Sequence, residues 1–418
     1  MSEPMLSVEQ ALDRVLSAFE PLEPERVGIL DALDRVLAED VHAGEDIPPH
    51  SNSSMDGYAV VAADTAAASA ERPVRLRVTG EIAAGYVADE PVTPGTAMRI
   101  MTGASIPAGG TAVVKVEDTT AGEDEDGEWV DVRVQVAPAN YVRPAGEDVR
   151  RGDLVLPKGT LLRPQEIGML ATLGHCDVLM HRRPRVGILA TGDEVVEIDQ
   201  PLAPGKIRDA NTYSNAAQVL RHGGMPVLLG IARDSVDDLT ERICAGLEQG
   251  IDLLLTSGGV SVGDFDLVKD VLAAEGEMDF WRVRMKPGKP LAFGRIASPA
   301  QASGQTVPAL GLPGNPVSVM VSFEIFVRPA IWKMLGRTDL THPTLEATLV
   351  DEIGHKDERR HYVRVHVEQH EGEYRAHLTG GQGSGILSSM VKANALAIIP
   401  EEWDHVPAGA RVQVISLD

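Results

Sequence analysis

One stretch, TSGGVSVGDFD (256–266), contains several residues that could bind phosphate and a metal ion. Its glycines and serines leave backbone amides accessible, and amides at the start of a helix favour anions. Asp264 and Asp266 add negative charge beside such a cradle, which suits a divalent metal that bridges protein and phosphate. A tight turn between a strand and a helix would also explain the glycines without any ligand.

Three acidic residues, Glu194, Asp234 and Asp266, each come shortly after an apolar run that is typical of a buried parallel strand. Ligands of parallel sheets bind at the carboxyl ends of the strands, so the three acids are predicted to share one edge. An isolated Asp after a strand usually caps the next helix. Three acids at one edge favour a metal or ligand site.

Two proline-glycine turns carry groups that bind oxyanions. KPGKP (286–290) holds two lysines on a rigid turn, and LPGNPVS (312–318) ends a predicted strand and starts a predicted helix. Ser318 and the free amides of that first helical turn can hold an oxyanion. Strand punctuation explains either turn alone, but the pair, one bearing Lys286 and Lys289, favours oxyanion binding.

Two further candidates lie nearer the N-terminus. Asp56 falls in a loop of prolines and small polar residues, DIPPHSNSSMDGYAV (46–60), which contains a turn signal at Asp56-Gly57. A plain surface loop and a loop that presents Asp56 to a ligand explain this composition equally well. Thr102 offers a hydroxyl group to a partner or ligand, which by itself is a weak signal.

The elements that would position these residues differ in periodicity along the chain. Helical spacing begins at Ser7, which forms a predicted capping box with Gln10, and a second helix-like piece spans Gly28 to Leu37. Residues 74–142 alternate as β-strands do, with an exposed hairpin tip at 123–127. From residue 186 strands alternate with helices, including one that Asn211 is expected to cap. The pattern predicts a multidomain α/β plus β protein.

Length, charge and cysteine usage limit the class of protein. The chain has 418 residues, with 38 basic against 62 acidic residues and a formal charge of −24. This balance argues against nucleic acid or an anionic membrane as a partner. Cys176 and Cys244 are too few for a disulfide framework, and each is expected to be a small core residue in a reducing compartment. No leader or membrane-length apolar run is present, which predicts a cytoplasmic protein.

Six short motifs follow one another in a specific order: SSMDGYA (53–59), TG (102–103), TGDE (191–194), SGGVSVG (257–263), KPGKP (286–290) and LPGNPVS (312–318). This ordered set closely resembles the molybdopterin molybdenumtransferase family. That family comprises the bacterial molybdenum-insertion enzyme and the E domain of its plant and animal relatives, including gephyrin. The resemblance covers nearly the whole chain.

The resemblance implies an elongated homodimer of four-part subunits. A helical or linker part combines residues 1–42 and 143–180, and an inserted β domain spans 43–142. A molybdopterin-binding α/β domain with a parallel-rich sheet spans 181–338, and a C-terminal β-barrel spans 339–418. Alternating residues near Thr344, Tyr362 and Arg411 agree with strands in that barrel.

Family members ligate molybdate to the dithiolene of adenylylated molybdopterin with Mg²⁺ and release AMP, giving the molybdenum cofactor. By resemblance, the active site lies at the subunit interface, with a catalytic set of Asp56 and Thr102 from the neighbouring subunit and Glu194, Asp234 and Asp266. The last three acids would bind Mg²⁺ or position the pterin nucleotide. The pterin nucleotide would be bound by Thr191, Gly192, Asp193, Ser257, Gly258, Gly259, Ser261, Gly263, Pro313, Gly314, Asn315 and Pro316. Molybdate would be bound by Lys286, Lys289, Pro290, Ser318, Arg364 and Ser384.

Two other functions stay open. The α/β domain alone also resembles the molybdopterin adenylyltransferase, which makes the adenylylated intermediate; the extra β domains and the Lys-Pro-Gly-Lys turn favour the insertion step. A non-catalytic scaffold is the second alternative, because gephyrin also clusters receptors. The joint presence of Asp56, Glu194, Asp266, Lys286 and Lys289 favours an enzyme. The adenylyltransferase and acceptor molybdoenzymes are further candidate partners.

Overall fold

The computed structural model describes residues 5–233, 235–258, 276–297, 306–354 and 357–417. The chain divides into two compact units. The larger contains Met1–Glu39, Gly159–Ile167 and Asp177–Asp418, and the smaller contains Asp40–Lys158 and Gly168–Cys176. The finer division into four parts stays a prediction. Within the described ranges, no helix combines the length and apolarity needed to cross a membrane.

The larger unit begins with helix α1, Val8–Leu16, at the predicted capping box. The Ser7 hydroxyl accepts from the Gln10 amide, and the Gln10 side chain accepts from the Ser7 amide. The two bonds satisfy amides that the first helical turn leaves without partners. The buried face of α1, with Val8, Ala11 and Val15, packs into the core of the larger unit.

The smaller unit is built on a six-stranded sheet. Its strands are β1 (Gly57–Val60), β2 (Val74–Ile82), β3 (Thr96–Ile100), β4 (Ala112–Lys115), β5 (Thr119–Asp124) and β6 (Gly127–Val132). The spatial order is β4-β1-β3-β2-β6-β5, with β2 and β3 parallel and the other neighbours antiparallel. The predicted hairpin tip at 123–127 joins β5 to β6 and is confirmed.

Short elements lie between and around the strands of this sheet in the sequence. Two 3-10 helices span Ala62–Thr65 and Val116–Asp118. Strand Val41–His42 pairs with Leu154–Leu156, and Asn52–Ser53 pairs with Val142–Arg143. Helix α2, Pro164–Thr172, follows them in the sequence and starts at the predicted proline.

The larger unit contains an α/β sheet of six strands. Its elements in chain order are β7 (Arg185–Thr191), α3 (Asn211–Arg221), β8 (Met225–Ala232), α4 (Val236–Glu248), β9 (Leu253–Ser257), β10 (Gly276–Arg282), β12 (Pro290–Ala297) and β13 (Thr306–Leu312), with β11 (Met285–Lys286) lying outside this sheet. The order is β8-β7-β9-β13-β12-β10, parallel from β8 to β13 and antiparallel from β13 to β10. All five residues of β9 are buried, as expected for a strand covered on both faces.

A closed barrel follows the α/β sheet. Helix α5 (Pro316–Ser322), a π-helical segment (Phe323–Val327) and α6 (Arg328–Met334) lead to β14 (Thr344–Leu349), β15 (Arg360–His370), β16 (Glu373–Leu378), α7 (Ser388–Val391), β17 (Ala395–Ile399) and β18 (Arg411–Ser416). Five strands close in the order β15-β16-β14-β18-β17, and β17 pairs back to β15. Strand β11 adds to the outside of this ring, parallel to β15. The predicted C-terminal β-barrel is confirmed.

One hydrophobic core connects these parts of the larger unit. It contains residues from α1, from the α/β sheet, from the helical run 316–334 and from the barrel strands, among them Val15, Leu255, Phe323, Tyr362 and Ile415. Three short strand pairs also belong to this unit: Pro24–Gly28 with Asp177–His181, Val195–Val196 with Ile207–Arg208, and Ile353–Gly354 with His405–Val406.

The predicted second helix at Gly28 to Leu37 was wrong. Gly28 ends a strand, and turns occupy the residues that follow. Leu30 is 80% exposed, so the apolar pattern there is not the buried stripe of a helix. The amide of Leu37 donates to the carbonyl of Thr160 instead of to its own segment. Long-range pairing has therefore replaced the local helical pattern.

Two side-chain predictions also need correction. Asn211 is the first residue of α3 and does not cap it; the Asp209 carboxylate accepts from the Thr212 amide at 3.0 Å and fills that role. Cys176 is exposed, so it is not the core residue expected from its small apolar side chain. Spacing alone does not distinguish an Asp and an Asn that lie two residues apart before a helix.

Candidate active site

A pocket of about 500 Å³, including its open mouth, lies at the carboxyl ends of β7 and β9. It brings together six residues predicted to bind or act on the pterin nucleotide: Thr191, Glu194, Ser257, Gly258, Gly314 and Pro316. The rest of its lining is Ala190, Val195 and the segment 207–211. Parallel strands place their carboxyl ends at one edge, which is why separate motifs meet here.

Glycines allow the strand-end loops of this pocket to lie against one another. Gly258 has φ +96°, and a Cβ atom there would lie 2.9 Å from the carbonyl oxygen and the hydroxyl of Thr191. The Gly258 amide donates to the carbonyl of Leu312, and the Thr191 hydroxyl donates to the carbonyl of Ser257 at 3.3 Å. Only glycine fits this left-handed, closely packed position.

A polar segment that the sequence analysis missed forms one wall of the pocket. Arg208, Asp209 and Asn211 line it, and the Asn211 amide nitrogen donates to the carbonyl of Gly314 at 2.8 Å. Lys206 donates to the carbonyl of Asp193 at 2.5 Å. The signal that could have revealed this segment is a pair of cations just before a helix, in KIRDAN (206–211). It was missed because these residues follow a loop and not an apolar strand.

The predicted acids are only partly visible at this edge. Glu194 is exposed on the pocket wall, and its carboxylate covers Gly192, where a Cβ atom would lie 2.6 Å from Oε2. Asp234, Asp266 and the loop residues Gly259, Ser261 and Gly263 fall outside the described residues. Within the described ranges, no group of three or more His, Cys, Asp or Glu side chains is placed to hold a metal.

The remaining pterin-site predictions flank the pocket. The Asp193 side chain is exposed beside Glu194, and Pro313 is buried at the end of β13. Asn315 is the N-terminal cap residue of α5 but makes no capping hydrogen bond with its side chain. The first turn of α5 therefore keeps amides that its own cap does not satisfy.

The predicted lysine turn forms part of a charged cluster. Lys286 ends β11, and its amine lies 3.5 Å from the Asp357 carboxylate. Arg359 binds the same carboxylate through two guanidinium nitrogens, at 3.0 and 2.6 Å, and His361 Nε2 lies 3.1 Å away. The Arg359 hydrogen bonds foremost, and then the contact with His361, hold the pKa of Asp357 far below its ordinary range. Lys289 is exposed, and Pro290 begins β12.

Arg364 is a buried cation surrounded by neutral acceptors. The residue is 2% exposed, and its guanidinium donates to the Ser389 hydroxyl and the Gly383 carbonyl, both at 3.1 Å. Among the described residues, no carboxylate pairs with it. Burial lowers the pKa of Arg364 to about 10, because a low-dielectric setting disfavours the charged form. Such a charge is poised to accept an anion.

Helix α5 links the lysine turn, Arg364 and the pterin pocket. Its Val317 amide donates to the carbonyl of Ser384, which follows the Gly383 that contacts Arg364. Gly288 of the lysine turn has φ +101°, and a Cβ atom there would lie 2.6 Å from the Ser322 hydroxyl. Ser318 and Ser322 are four residues apart and share one helix face. The start of α5 therefore borders the pocket and the loop of Ser384, and its last residue borders the lysine turn.

Asp56 and Thr102 lie together in the smaller unit. The Asp56 Oδ1 atom accepts from both the amide and the hydroxyl of Thr102 at 2.7 Å. These bonds, the backbone one foremost, hold the pKa of Asp56 below its ordinary value, so the exposed carboxylate stays ionised. The two residues form one polar group, although their motifs lie 46 positions apart.

Comparison with known proteins identifies the class. Three family models match in succession: "MoeA N-terminal region (domain I and II)" over residues 6–174, "Probable molybdopterin binding domain" over 187–333 and "MoeA C-terminal region (domain IV)" over 346–417. The second model contains the pocket described above. The fold and the site thus define a multidomain molybdopterin-related enzyme.

Full-length relatives narrow this class to one family. The chain is 37% identical to a molybdopterin molybdenumtransferase of Nostoc sp., over 99% of this chain and 94% of the relative. A Bacillus subtilis protein of the same name is 36% identical over 98% and 94%. A Pyrococcus horikoshii structure described as a molybdopterin biosynthesis protein superposes with a TM-score of 0.84 at 31% identity, covering 99% of this chain and 100% of that one. The chain belongs to the molybdopterin molybdenumtransferase family, whose members act in molybdenum cofactor biosynthesis.

Proposed function

We propose that this chain ligates molybdate to the dithiolene of adenylylated molybdopterin and releases AMP in a Mg²⁺-dependent reaction. The observation that carries the proposal is the position of α5. Its start lines the pterin pocket at Pro316, its Val317 amide donates to the carbonyl of Ser384, and its last residue, Ser322, packs against Gly288 of the lysine turn. One short helix thus joins a pocket suited to a pterin nucleotide with a group of cations suited to an oxyanion.

The pterin nucleotide is the ligand that suits the pocket at β7 and β9. Its phosphates need cations and amides, since the protein as a whole carries a formal charge of −24. Arg208 on the pocket wall uses Nε and Nη2 for backbone carbonyls of Ile198 and Gln200, which fixes the guanidinium near the mouth. We assign Arg208 and the amides of the glycine loop to phosphate binding.

Molybdate is the anion that suits the α5 end of the site. A tetrahedral dianion needs several donors on different elements, and Lys286, Lys289, Ser318, Arg364 and Ser384 supply them. Arg364 is central, because its charge is buried and its described neighbours are hydroxyl and carbonyl groups. An incoming dianion would supply the negative charge that no described side chain provides to this guanidinium.

Mg²⁺ is supported by the donor chemistry of the pocket wall. Glu194 presents a carboxylate with no ion pair to a described residue, and carboxylate oxygens are preferred Mg²⁺ ligands. Glu194, Asp234 and Asp266 would hold the ion, which would neutralise charge on the phosphoanhydride as AMP leaves. The residues of the chain orient the two anionic substrates. No covalent nucleophile enters the proposal.

The proposed enzyme acts as a homodimer in the cytoplasm. Asp56 and Thr102 would reach the site of the neighbouring subunit, where the ionised Asp56 carboxylate would position a substrate group. The adenylyltransferase of the preceding step and acceptor molybdoenzymes would exchange substrate and product with this chain.

The test is a reconstitution with adenylylated molybdopterin, Mg²⁺ and molybdate, in which AMP and molybdenum-loaded pterin are both quantified. We expect AMP release that requires molybdate and that falls in Glu194→Gln and Lys286→Ala variants. Arg411→Met, which changes an exposed ion pair on the barrel, is the matched control and should behave as the wild type. Synthesis of adenylylated pterin from ATP would instead assign the preceding step, and pterin binding without AMP release would support a scaffold.

A further inference from the structure

The Asp357 carboxylate occupies donors of the kind that the proposed molybdate site needs. Arg359 holds it through two nitrogens, His361 Nε2 lies 3.1 Å from Oδ1, and the Lys286 amine lies 3.5 Å from Oδ2. A carboxylate bound by a guanidinium, an imidazole and an amine is held by the same donor chemistry that binds a tetrahedral oxyanion. Of these three partners, Lys286 is the one that the proposed function assigns to molybdate.

The contact between Lys286 and Asp357 is the easiest of the three to break. Its distance of 3.5 Å is the longest, and the Lys286 side chain is 48% exposed against 25% for Arg359. Exposed ion pairs of this kind contribute little free energy, since water solvates the separated charges well. The Asp357 carboxylate would keep Arg359 and His361 after Lys286 leaves.

The backbone around Lys286 is fixed, so the amine can move while the turn stays in place. Pro287 and Gly288 are buried, and Gly288 packs so closely on Ser322 that a Cβ atom would lie 2.6 Å from its hydroxyl. Ser322 lies one helical turn after Ser318 on α5. The flexible, half-exposed Lys286 side chain can therefore release Asp357 by rotation about its own bonds, without movement of the turn.

We propose that Asp357 is an internal competitor of molybdate. It holds the Lys286 amine in an ion pair that the incoming oxyanion must break, and so it limits the oxyanion affinity of the site. The inference rests on the proposed function, because it takes Lys286 as a molybdate ligand. It adds that this affinity is restrained by a negative charge that remains near the bound dianion. Molybdate binding then requires the release of one ion pair and works against repulsion from Asp357.

The test is calorimetric titration of the full chain with sodium molybdate alone. We expect Asp357→Asn to bind molybdate about threefold to tenfold more tightly than the wild type, as removal of one partly screened like charge allows. Glu346→Gln, which removes a charge from an exposed barrel pair with Arg411, should leave the affinity unchanged. Asp357→Ser is a second charge-neutral variant, used if the Asn protein shows a reduced folded fraction by circular dichroism.

A double-mutant cycle with Lys286→Ala tests the route of the effect. If Asp357 acts through Lys286, the gain from Asp357→Asn should shrink in the Lys286→Ala background. Equal or weaker molybdate binding by Asp357→Asn, beside measurable binding by the wild type, would overturn the competitor role and leave the proposed function standing. Absence of molybdate binding in the wild type and in every variant would refute the molybdate site itself, and the competitor role with it.

Discussion

Replacing Arg364 by methionine should remove most of the molybdate affinity while leaving the fold intact. Methionine keeps much of the buried volume but has no charge and no N–H donors. A hydrogen bond from a charged donor contributes about 1.5–3 kcal/mol, so loss of one bond to the dianion should weaken binding roughly 10- to 150-fold. Titration calorimetry of the wild type and Arg364→Met with molybdate measures this change.

The stability of the same variant follows from two opposing effects. Burial lowers the pKa of Arg364 from 12.5 to about 10, which corresponds to a penalty of about 3 kcal/mol on the charged form in the folded state. Its hydrogen bonds to Ser389 and Gly383 contribute in the other direction, at roughly 1.5 kcal/mol each. The two effects nearly cancel, so urea unfolding should show a change below about 2 kcal/mol.

Two outcomes would contradict a role for Arg364 as an anion receptor. If Arg364→Met binds molybdate within twofold of the wild type, the buried guanidinium is not an anion receptor. If the variant instead unfolds under native conditions, the hydrogen bonds of Arg364 outweigh its burial penalty and the residue is structural. Arg411→Met, which changes an exposed side chain of β18, controls for loss of one positive charge.

Three further outcomes are expected. Ser389→Ala should weaken molybdate binding less than Arg364→Met does, because it frees the guanidinium without removing it; unchanged affinity in calorimetry would deny Ser389 a positioning role. Thr102→Val should raise the pKa of Asp56, so the acid limb of the pH-rate profile should move to higher pH; an unmoved limb would show that this carboxylate does not control the rate. Burial alone raises the pKa of Glu324, but His222, Gln218 and Arg328 lower it to about 2, so its ionised form stabilises the fold above pH 4.5 and that stability is lost as the pH falls towards 2. Glu324→Gln should therefore be less stable at pH 7 and lose less stability on acidification, as denaturation curves at several pH values would reveal.

The sequence was most informative where function and local geometry require the same residues. Strand β9 could be predicted because a short apolar run between Gly250 and Gly258 favours a buried strand. All five residues of β9 are buried in the structure. The capping box at Ser7 and the start of α5 at Pro316 are equally local, since each depends on neighbouring backbone groups. Such features need no knowledge of distant contacts.

Features that depend on contacts between distant parts of the chain could not be predicted from the sequence. The segment Gly28 to Leu37 has helical spacing, yet its Leu37 amide pairs with Thr160, more than a hundred residues away. Asp357 was not singled out because its partner Lys286 lies on a distant strand, β11, which reaches Asp357 only by pairing with β15 of the barrel. The clustering of Arg208 at the pocket likewise depends on tertiary packing and not on a strand-end motif.

The shared core of the larger unit has a consequence for how the chain could be cut or recombined. Tyr362 and Ile415 of the barrel lie in the same apolar cluster as Val15 of α1 and Leu255 of the central strand. Removing the barrel would expose that cluster to water, and burial of such side chains contributes about 1.5–3 kcal/mol each. The C-terminal barrel is therefore not an exchangeable module. A substituted barrel would have to reproduce the apolar surface that packs against α1 and the α/β sheet.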